Sequence, residues 1–154
     1  MDYLLDTNIL VVYSRANAIA RQIESDLKLL SLENNLTISA VSVGEIESIA
    51  IRNKWGAQKI ARLERLLDRF LIADINVTEI FKKYAEIDAY SQGKLPNTFV
   101  DFTARNMGKN DLWIAATASV LDFTLVTTDN DFIHLEEQYL KIRKVILRDY
   151  VEKK

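Results

Sequence analysis

The first apolar run of the chain ends in a carboxylate. Tyr3-Leu4-Leu5 is continuously apolar, and Asp6 follows it directly before the sequence returns to apolar residues. Such a run is typical of a strand buried on both faces of an α/β sheet, and parallel sheets place their ligands at the carboxyl ends of their strands. Asp6 is therefore the first candidate for chemistry. Taken alone, it is better interpreted as a cap for the helix that begins near Thr7.

Composition excludes several kinds of site and of protein. The 154 residues include no cysteine, one histidine and four glycines, so disulfides, thiolate metal sites and cysteine nucleophiles are excluded. No glycine-rich phosphate loop occurs. No apolar stretch approaches the roughly 20 residues of a membrane span, and no signal-peptide pattern opens the chain. We therefore expect a cytoplasmic protein with no membrane partner, folded as a single domain over residues 1–154.

The formal net charge of −2 does not mark the whole molecule as a nucleic-acid binder. Two local groups of basic residues stand out against it. The first is Lys59, Arg62, Arg65 and Arg69, and the second is Lys141, Arg143, Lys144, Arg148, Lys153 and Lys154. Solvated faces have the same appearance, so neither group by itself indicates a binding surface.

Apolar periodicity predicts strands that alternate with helices. The predicted strands are residues 3–5, 36–38, 71–73, 123–127 and 145–147. After the helix near Thr7, the predicted helices cover about 17–33, 42–55, 57–70, 78–93, 110–121 and 132–139, with Thr78 as an N-cap. Residues 94–109 are predicted to be mostly loop, with a helical turn at 100–105. The alternation predicts an α/β fold with a central parallel sheet of about five strands and helices on both faces.

Several carboxylates share one local context, the end of an apolar strand or the first turn of a buried helix: Asp6, Glu45, Asp111 and Asp129, with Asp131 beside the last. In a parallel sheet these positions lie at one edge. Each also has a structural explanation, since Glu45 has capping-box spacing from Ser42, Asp111 suits a helix start and Asp129 suits a turn. Two carboxylates ~4 Å apart repel by about 4 kcal/mol at an effective dielectric constant near 20. Their convergence therefore predicts a bound cation.

An all-oxygen ligand set favours Mg²⁺ or Mn²⁺. Zinc is disfavoured because the chain has no cysteine and only His134, which we interpret as a surface or half-buried side chain. A Ser-His-Asp triad is unsupported, since no Gly-x-Ser-x-Gly motif occurs. A carboxylate-held divalent cation polarises a phosphate oxygen and lowers the pKa of bound water. The residues therefore favour hydrolysis of a phosphodiester.

Four motifs occur in order along the chain: Leu5-Asp6-Thr7-Asn8, Ser42-Val43-Gly44-Glu45, Asn110-Asp111-Leu112-Trp113-Ile114-Ala115-Ala116 and Thr127-Thr128-Asp129-Asn130-Asp131-Phe132. Together they resemble those of the PIN-domain ribonucleases, and among them the VapC-type toxins of toxin–antitoxin pairs. Order, spacing and total length agree, so the resemblance spans nearly the whole chain. Gly44 is a departure, because glycine is a poor helix former and makes the pose of Glu45 hardest to predict.

The resemblance implies a PIN-like domain that cleaves RNA as a Mg²⁺- or Mn²⁺-dependent endoribonuclease, the toxin of a type II toxin–antitoxin system. The implied metal ligands are Asp6, Glu45, Asp111 and Asp129, with Asp131 acting through water and Asn8 and Thr127 orienting the others. The resemblance also implies a homodimer and a small VapB-like antitoxin. The alternative is a catalytically inactive PIN-like module that binds RNA or protein, and the presence of all four acids argues against it. Phosphoaspartate proteins are disfavoured. Haloacid-dehalogenase-like phosphatases need a second aspartate two residues after the nucleophile, where this chain has Asn8, and the acidic pair and late lysine of a receiver domain are not found.

In this class, RNA would be held by basic side chains and by stacking on aromatic rings. Arg105 and Lys109, on the loop that leads to Asp111, are the candidate phosphate contacts. Phe99 or Phe102 are candidates for base stacking, although a role in pinning this loop to the core is the simpler interpretation.

Overall fold

The structure is a computed structural model that describes residues 1–151. Its strands are β1 (Asp2–Leu5), β2 (Asn35–Ser39), β3 (Leu71–Ala73), β4 (Thr124–Thr127) and β5 (Lys141–Lys144). They form one sheet in the order β3-β2-β1-β4-β5, and every neighbouring pair is parallel. The predicted fold class is confirmed. Lys153 and Lys154, which the sequence places in a basic group, lie outside the described residues.

Helices connect the strands and cover both faces of the sheet. They are α1 (Thr7–Ser14), α2 (Ala18–Leu27), α3 (Ala40–Arg52), α4 (Ala57–Leu67), α5 (Thr78–Ser91), α6 (Lys109–Leu121) and α7 (Arg148–Val151). A single 3-10 turn, Ile133–Leu135, lies between β4 and β5. Over residues 1–151, each helix is too short or too polar to cross a membrane.

Alternation along the central strands separates two hydrophobic cores. Tyr3 and Leu5 of β1 face one core, together with residues of α1 to α4. Leu4 faces the other, with residues of α5 and α6. Because successive side chains of a strand point to opposite faces, the continuous apolar run of β1 is explained by burial on both sides. The carboxyl end of β1, where Asp6 follows, is then the part of this strand at which a ligand is expected.

The last strand was predicted at residues 145–147, and this prediction is wrong. β5 instead pairs with β4 from Thr124 and Lys141 to Thr127 and Lys144. An edge strand faces water along one side and tolerates charged residues, so its Lys-Ile-Arg-Lys sequence lacks the apolar signal. The apolar Val145 that follows is buried in the core beyond the strand.

Several predicted helix boundaries are also wrong. α2 ends at Leu27 rather than near residue 33, because Lys28 adopts a left-handed conformation that terminates the helix. The predicted helix 132–139 is reduced to the 3-10 turn, and residues 100–105 contain no helical turn. Thr78 is the first residue of α5, and Val77 takes the N-cap position. These errors fall at loop junctions, where tertiary contacts decide the backbone path.

The strand order places a topological switch point between β1 and β4. β1, β2 and β3 progress in one direction from this point, and β4 and β5 progress in the other. The connections therefore diverge at the carboxyl ends of β1 and β4, which opens a crevice there. Asp6 follows β1 and Asp129 follows β4, so both carboxylates lie at the position where this fold class binds ligands.

Candidate active site

Asp6 lies at the carboxyl end of β1 and is only 3% exposed. It occupies the N-cap position of α1, but its side chain makes no capping hydrogen bond. Its Oδ2 instead accepts a 2.7 Å hydrogen bond from the hydroxyl of Thr127. The capping interpretation is therefore wrong, because the carboxylate is directed towards the end of β4.

The loop after β4 is shaped by side-chain hydrogen bonds to its own backbone. The Thr127 hydroxyl accepts a 2.9 Å bond from the Asp129 backbone N–H, and Asp129 Oδ1 accepts one of 2.9 Å from the Asp131 N–H. Lys144 Nζ donates to the Thr128 carbonyl at 2.7 Å. These bonds fix the direction in which the loop presents its two aspartates.

Glu45 approaches the same edge from α3. The Thr7 hydroxyl donates a 2.7 Å hydrogen bond to Glu45 Oε1 and lies 2.9 Å from the hydroxyl of Ser42. Ser42 is fully buried inside α3, and the helix is capped by Ser39, whose hydroxyl accepts from the Val41 N–H. The capping-box interpretation of Glu45 is therefore wrong, and its carboxylate is held by the residue that follows Asp6.

The carboxylates form one cluster, which we call the acidic cluster: Asp6, Glu45, Asp111, Asp129 and Asp131. Oxygen atoms of Asp111, Asp129 and Asp131 all lie within 4.8 Å of one another. Asp6 and Glu45 interact electrostatically with Asp111 from the other side. Asp111 reaches the cluster from the first turn of α6. The structure thus brings together residues from four separate parts of the chain.

Burial and mutual repulsion perturb the ionisation of the cluster. Burial raises the pKa of Asp6 to about 6, and the charges of Asp129 and Glu45 add to this against the opposing hydrogen bond from Thr127. Burial also raises the pKa of Asp111 to about 7, with contributions from the negative charges of the cluster. Over residues 1–151, no lysine or arginine forms a salt bridge with any of the five carboxylates. The nearby ammonium group of Lys144 interacts electrostatically with Asp129, Asp131 and Asp6, but it is a single positive charge beside five carboxylates.

The donor set fits a hard divalent cation. All candidate ligands are carboxylate oxygens, which Mg²⁺ and Mn²⁺ prefer over softer donors. One carboxylate oxygen each of Asp111, Asp129 and Asp131 lies within 4.8 Å of the other two. These three residues would therefore be placed to hold such a cation between them.

Open space lies on both sides of the acidic cluster. On one side, two adjoining pockets of about 390 and 300 Å³ share Glu45 and Asn110 and also include Arg52 and Lys109; we call them the α3–α6 cleft. On the other side, a cavity of about 530 Å³ lies between the loop after β4 and the end of β5. We call it the β5 cavity. A linear ligand could therefore cross the edge of the sheet over the carboxylates.

Of the remaining residues that the sequence predicts for the site, Lys109 lies beside the acidic cluster, but Arg105 lines neither opening and Asn8 makes no bond to a carboxylate of the cluster among the described residues. Lys109 lines the α3–α6 cleft, whereas Arg105 lies near His134 and lines neither opening. Asn8 is exposed, and within residues 1–151 its side chain makes no hydrogen bond to a carboxylate of the cluster. No hydrogen bond of the described residues therefore supports the predicted orienting role of Asn8, whereas Thr127 does bond to Asp6.

The loop aromatics differ from each other. The ring of Phe102 packs edge-on against Tyr90 and His134, with centroids 5.3 and 5.1 Å away, so it pins the loop to the core. Phe99 is 91% exposed and remains available to a ligand. His134 is half-buried, as predicted, and its Nε2 lies 2.8 Å from the Ser91 hydroxyl.

Sequence reasoning missed three residues that shape the site. Thr7 and Ser42 support Glu45, and both lie within motifs, so a buried hydroxyl next to a candidate acid was an available signal. Lys144 belongs to no motif. Burial lowers the pKa of its ammonium group, while the charges of Asp129, Asp131 and Asp6 oppose this change. Its proximity to the cluster depends on the register of β5, which the sequence did not indicate.

Comparison with known proteins identifies the family of this chain. Residues 3–138 match the model of the PIN domain family. The chain belongs to the PIN domain family. Ribonuclease VapC2 of Rickettsia felis is 30% identical to this PIN domain over 129 residues, which are 84% of this chain and 87% of the relative. The match confirms the predicted resemblance to VapC-type PIN domains.

Solved structures show the same PIN fold. VapBC2 from Rickettsia felis, bound to a DNA fragment from its promoter, matches with a TM-score of 0.70 at 25% identity, covering 94% of this chain and 98% of that one. VapBC-1 from nontypeable Haemophilus influenzae matches with a TM-score of 0.68 at 25% identity and the same coverage. Both are toxin–antitoxin proteins of the VapBC type.

Proposed function

We propose that this PIN domain is a divalent-metal-dependent endoribonuclease, the toxin of a type II toxin–antitoxin pair. The observation that carries the proposal is the acidic cluster, which gathers five carboxylates at the switch point of the sheet without a salt-bridged lysine or arginine over residues 1–151. An arrangement that repels itself is not selected for stability alone. It is explained if the cluster holds a cation during function.

In this proposal Mg²⁺ or Mn²⁺ is held by Asp6, Glu45, Asp111 and Asp129, with Asp131 contributing through water. When bound, the cation polarises a phosphate oxygen and makes hydroxide available near neutral pH. The hydroxyl groups of Thr127 and Thr7 keep Asp6 and Glu45 in their orientations. Such supporting hydrogen bonds are a common requirement of metal sites.

The surroundings of the cluster suit a single-stranded polyanion. Arg52 and Lys109 lie in the α3–α6 cleft, and Lys144 and Arg148 line the β5 cavity. Positive charges therefore flank the acidic centre on both sides and can contact phosphates, while a bound cation offsets the charge in the middle. Phe99 lines neither opening, but its exposed ring on the loop before α6 is a candidate for base stacking. Arg105 is a less direct candidate, because it lies on the far side of the loop near His134.

The assembly is proposed from the relatives. The similar structures from Rickettsia felis and Haemophilus influenzae are VapBC complexes, so we infer a small VapB-like antitoxin as partner, together with a homodimer of this chain in the cytoplasm. An antitoxin that covers the crevice would restrain the nuclease until it is removed.

The decisive experiment is cleavage of RNA by the purified chain after any bound antitoxin has been removed. Wild type is expected to cut total tRNA, ribosomal RNA or messenger RNA with Mg²⁺ or Mn²⁺ and to be inactive in EDTA. Asp6→Asn and Asp111→Asn should each lower the rate by more than about 100-fold with the fold intact, since they alter the proposed ligands themselves rather than their supports. Asp101→Asn is a matched control, because Asp101 is exposed on the loop and outside the cluster.

Three results would contradict the proposal. These are wild type that leaves all three RNA classes uncut with either metal, cleavage that persists in EDTA, and Asp111→Asn that cuts as fast as Asp101→Asn. The first result would favour an inactive PIN-like binding module. Circular dichroism of each variant distinguishes loss of activity from loss of fold.

A further inference from the structure

The β5 cavity is built at the border of the acidic cluster. Thr128 and Asn130, which flank Asp129 in the chain, form one wall, and Lys144 forms another. Its volume of about 530 Å³ is within the range of about 300–1,000 Å³ typical of small-molecule sites. A ligand in this cavity would therefore lie next to the proposed metal ligands.

The β5 cavity is lined by the cation of Lys144. Lys144 is the last residue of β5 and pairs with Thr127, so its side chain leaves the sheet at the same edge as the acids. One proton of Nζ is used by the Thr128 carbonyl, and an ammonium group has three. Two donors are therefore left for an anion. Arg148 adds a second cation near the mouth; its Nε lies 4.0 Å from Asp149, an exposed contact that restrains it little.

Apolar surface and an amide complete the cavity. Ile133 and Ile146 line it and remain 46% and 42% exposed, although large aliphatic side chains are usually buried. The amide of Asn130 has no hydrogen-bond partner within residues 1–151 and offers both a donor and an acceptor. A phosphate, a flat apolar face and a polar edge are the three parts of a nucleotide that these groups match.

We propose that the β5 cavity binds the nucleotide adjacent to the scissile phosphate of a single-stranded RNA, with Lys144 contacting its phosphate and Ile133 and Ile146 packing against its base. The inference rests on the proposed nuclease function and deepens it. It assigns the side of the acidic cluster, that of β5, on which the RNA strand continues. A protein partner is less suited to this cavity. Lys144 is held next to the carboxylates, so the anion that it binds should belong to a chain that also passes over the metal site, as an RNA backbone would.

Binding and cleavage are measured separately. Binding of a fluorescein-labelled 12-nucleotide RNA of mixed sequence is followed by anisotropy in EDTA at several salt concentrations, and cleavage of the same RNA is followed with Mn²⁺. The variants are Lys144→Gln, Lys144→Arg and Ile133→Ser. Lys141→Gln is the matched control, because Lys141 lies on the same strand at its opposite end and pairs with Asp122.

Lys144→Gln is expected to raise Kd and KM by about tenfold, the effect of a charged hydrogen bond, and to reduce the slope of log K against log salt by about 0.7, the value for one phosphate contact on a single strand. Lys144→Arg should restore most of the affinity, and Lys141→Gln should resemble wild type. Ile133→Ser should weaken binding of intact RNA. It should have no effect on an RNA that lacks the base beside the cleaved bond.

Other outcomes overturn the proposal. If Lys144 serves only to hold the Thr128 carbonyl, Lys144→Gln will lower kcat and leave both KM and the salt slope unchanged. If the cavity receives a protein, the variants will weaken antitoxin binding while RNA affinity stays at the wild-type value. Failure of wild type to cleave any RNA refutes the nuclease itself, whereas cleavage with a KM insensitive to Lys144 and Ile133 refutes only the subsite.

Discussion

Replacing Asp111 by asparagine should abolish cleavage and yet stabilise the metal-free protein. The fold raises the pKa of the Asp111 carboxyl from 3.8 to about 7, and one pKa unit corresponds to 1.36 kcal/mol. The full difference is equivalent to about 4 kcal/mol, which we halve to about 2 kcal/mol because the side chain is partly exposed to solvent. Over residues 1–151 the Asp111 side chain makes no hydrogen bond that the substitution could remove. The asparagine amide should therefore occupy the same space as the carboxylate.

The sign of this effect depends on pH. A carboxyl whose pKa is raised by folding favours the folded state while it is protonated, and this contribution is lost as the pH rises from about 4 through 7. Wild type without metal should therefore lose stability over this range, and Asp111→Asn should lose less. The gain should be near zero at pH 4 and reach about 2 kcal/mol at pH 8, or about 4–8 °C in Tm for a chain of this size.

The assay is thermal unfolding in EDTA at pH 4 and pH 8, with Asp101→Asn as control. Added Mg²⁺ or Mn²⁺ should reverse the order, because a cation that binds only the folded wild type stabilises it in proportion to the logarithm of its concentration. An Asp111→Asn protein that is less stable than wild type at pH 8 in EDTA, or equally stabilised at both pH values, would refute the conclusion that burial and the neighbouring charges raise the pKa of Asp111.

Two further perturbations test Thr127, which supports the site, and His134, which is half-buried and is not part of the acidic cluster. Thr127→Val removes the hydroxyl that links Asp6 to the Asp129 backbone and should reduce Mn²⁺ affinity, measured by calorimetry, about 10–100-fold; unchanged affinity would contradict a supporting role. Burial lowers the pKa of His134 to about 4. The neutral imidazole therefore contributes about 1–2 kcal/mol to the free energy of unfolding after allowance for partial exposure, and this contribution is lost as the pH falls from 6.5 towards 4. Urea unfolding at pH 7 and pH 4.5 should show a smaller pH effect in His134→Gln, and an equal effect would rule out His134 as its source.

The strands that the sequence predicts best are those with an apolar sequence. β1 is an unbroken apolar run because helices cover it on both faces, and β3, an edge strand that is also apolar, was predicted at its observed bounds. β5, the other edge strand, was misplaced because its Lys-Ile-Arg-Lys sequence is specified by pairing with β4 and not by hydrophobicity. The convergence of acids followed from one rule about parallel sheets. The resemblance to the family supplied Thr127, but the roles of Thr7, Ser42 and Lys144 were not predicted, since they depend on register and helix packing.

The hydroxyl residues that support the site are buried, whereas the carboxylates that they support repel one another. Thr127 and Ser42 are fully buried, and Thr7 nearly so, so each hydroxyl has few alternative partners and its bond to a neighbour is retained when the carboxylates repel. Asp131, which has the least protein around it, is the most free to move towards a cation or to bind it through water. A rigid inner half, with Asp6 and Glu45 held by threonines, and an adjustable outer half would let the cluster close on a cation without rearrangement of the sheet. Asp129 and Asp131 both lie on the loop after β4, and their oxygens are already within 4.8 Å of that of Asp111, so movement of this loop would be the adjustment that draws the three residues around a cation.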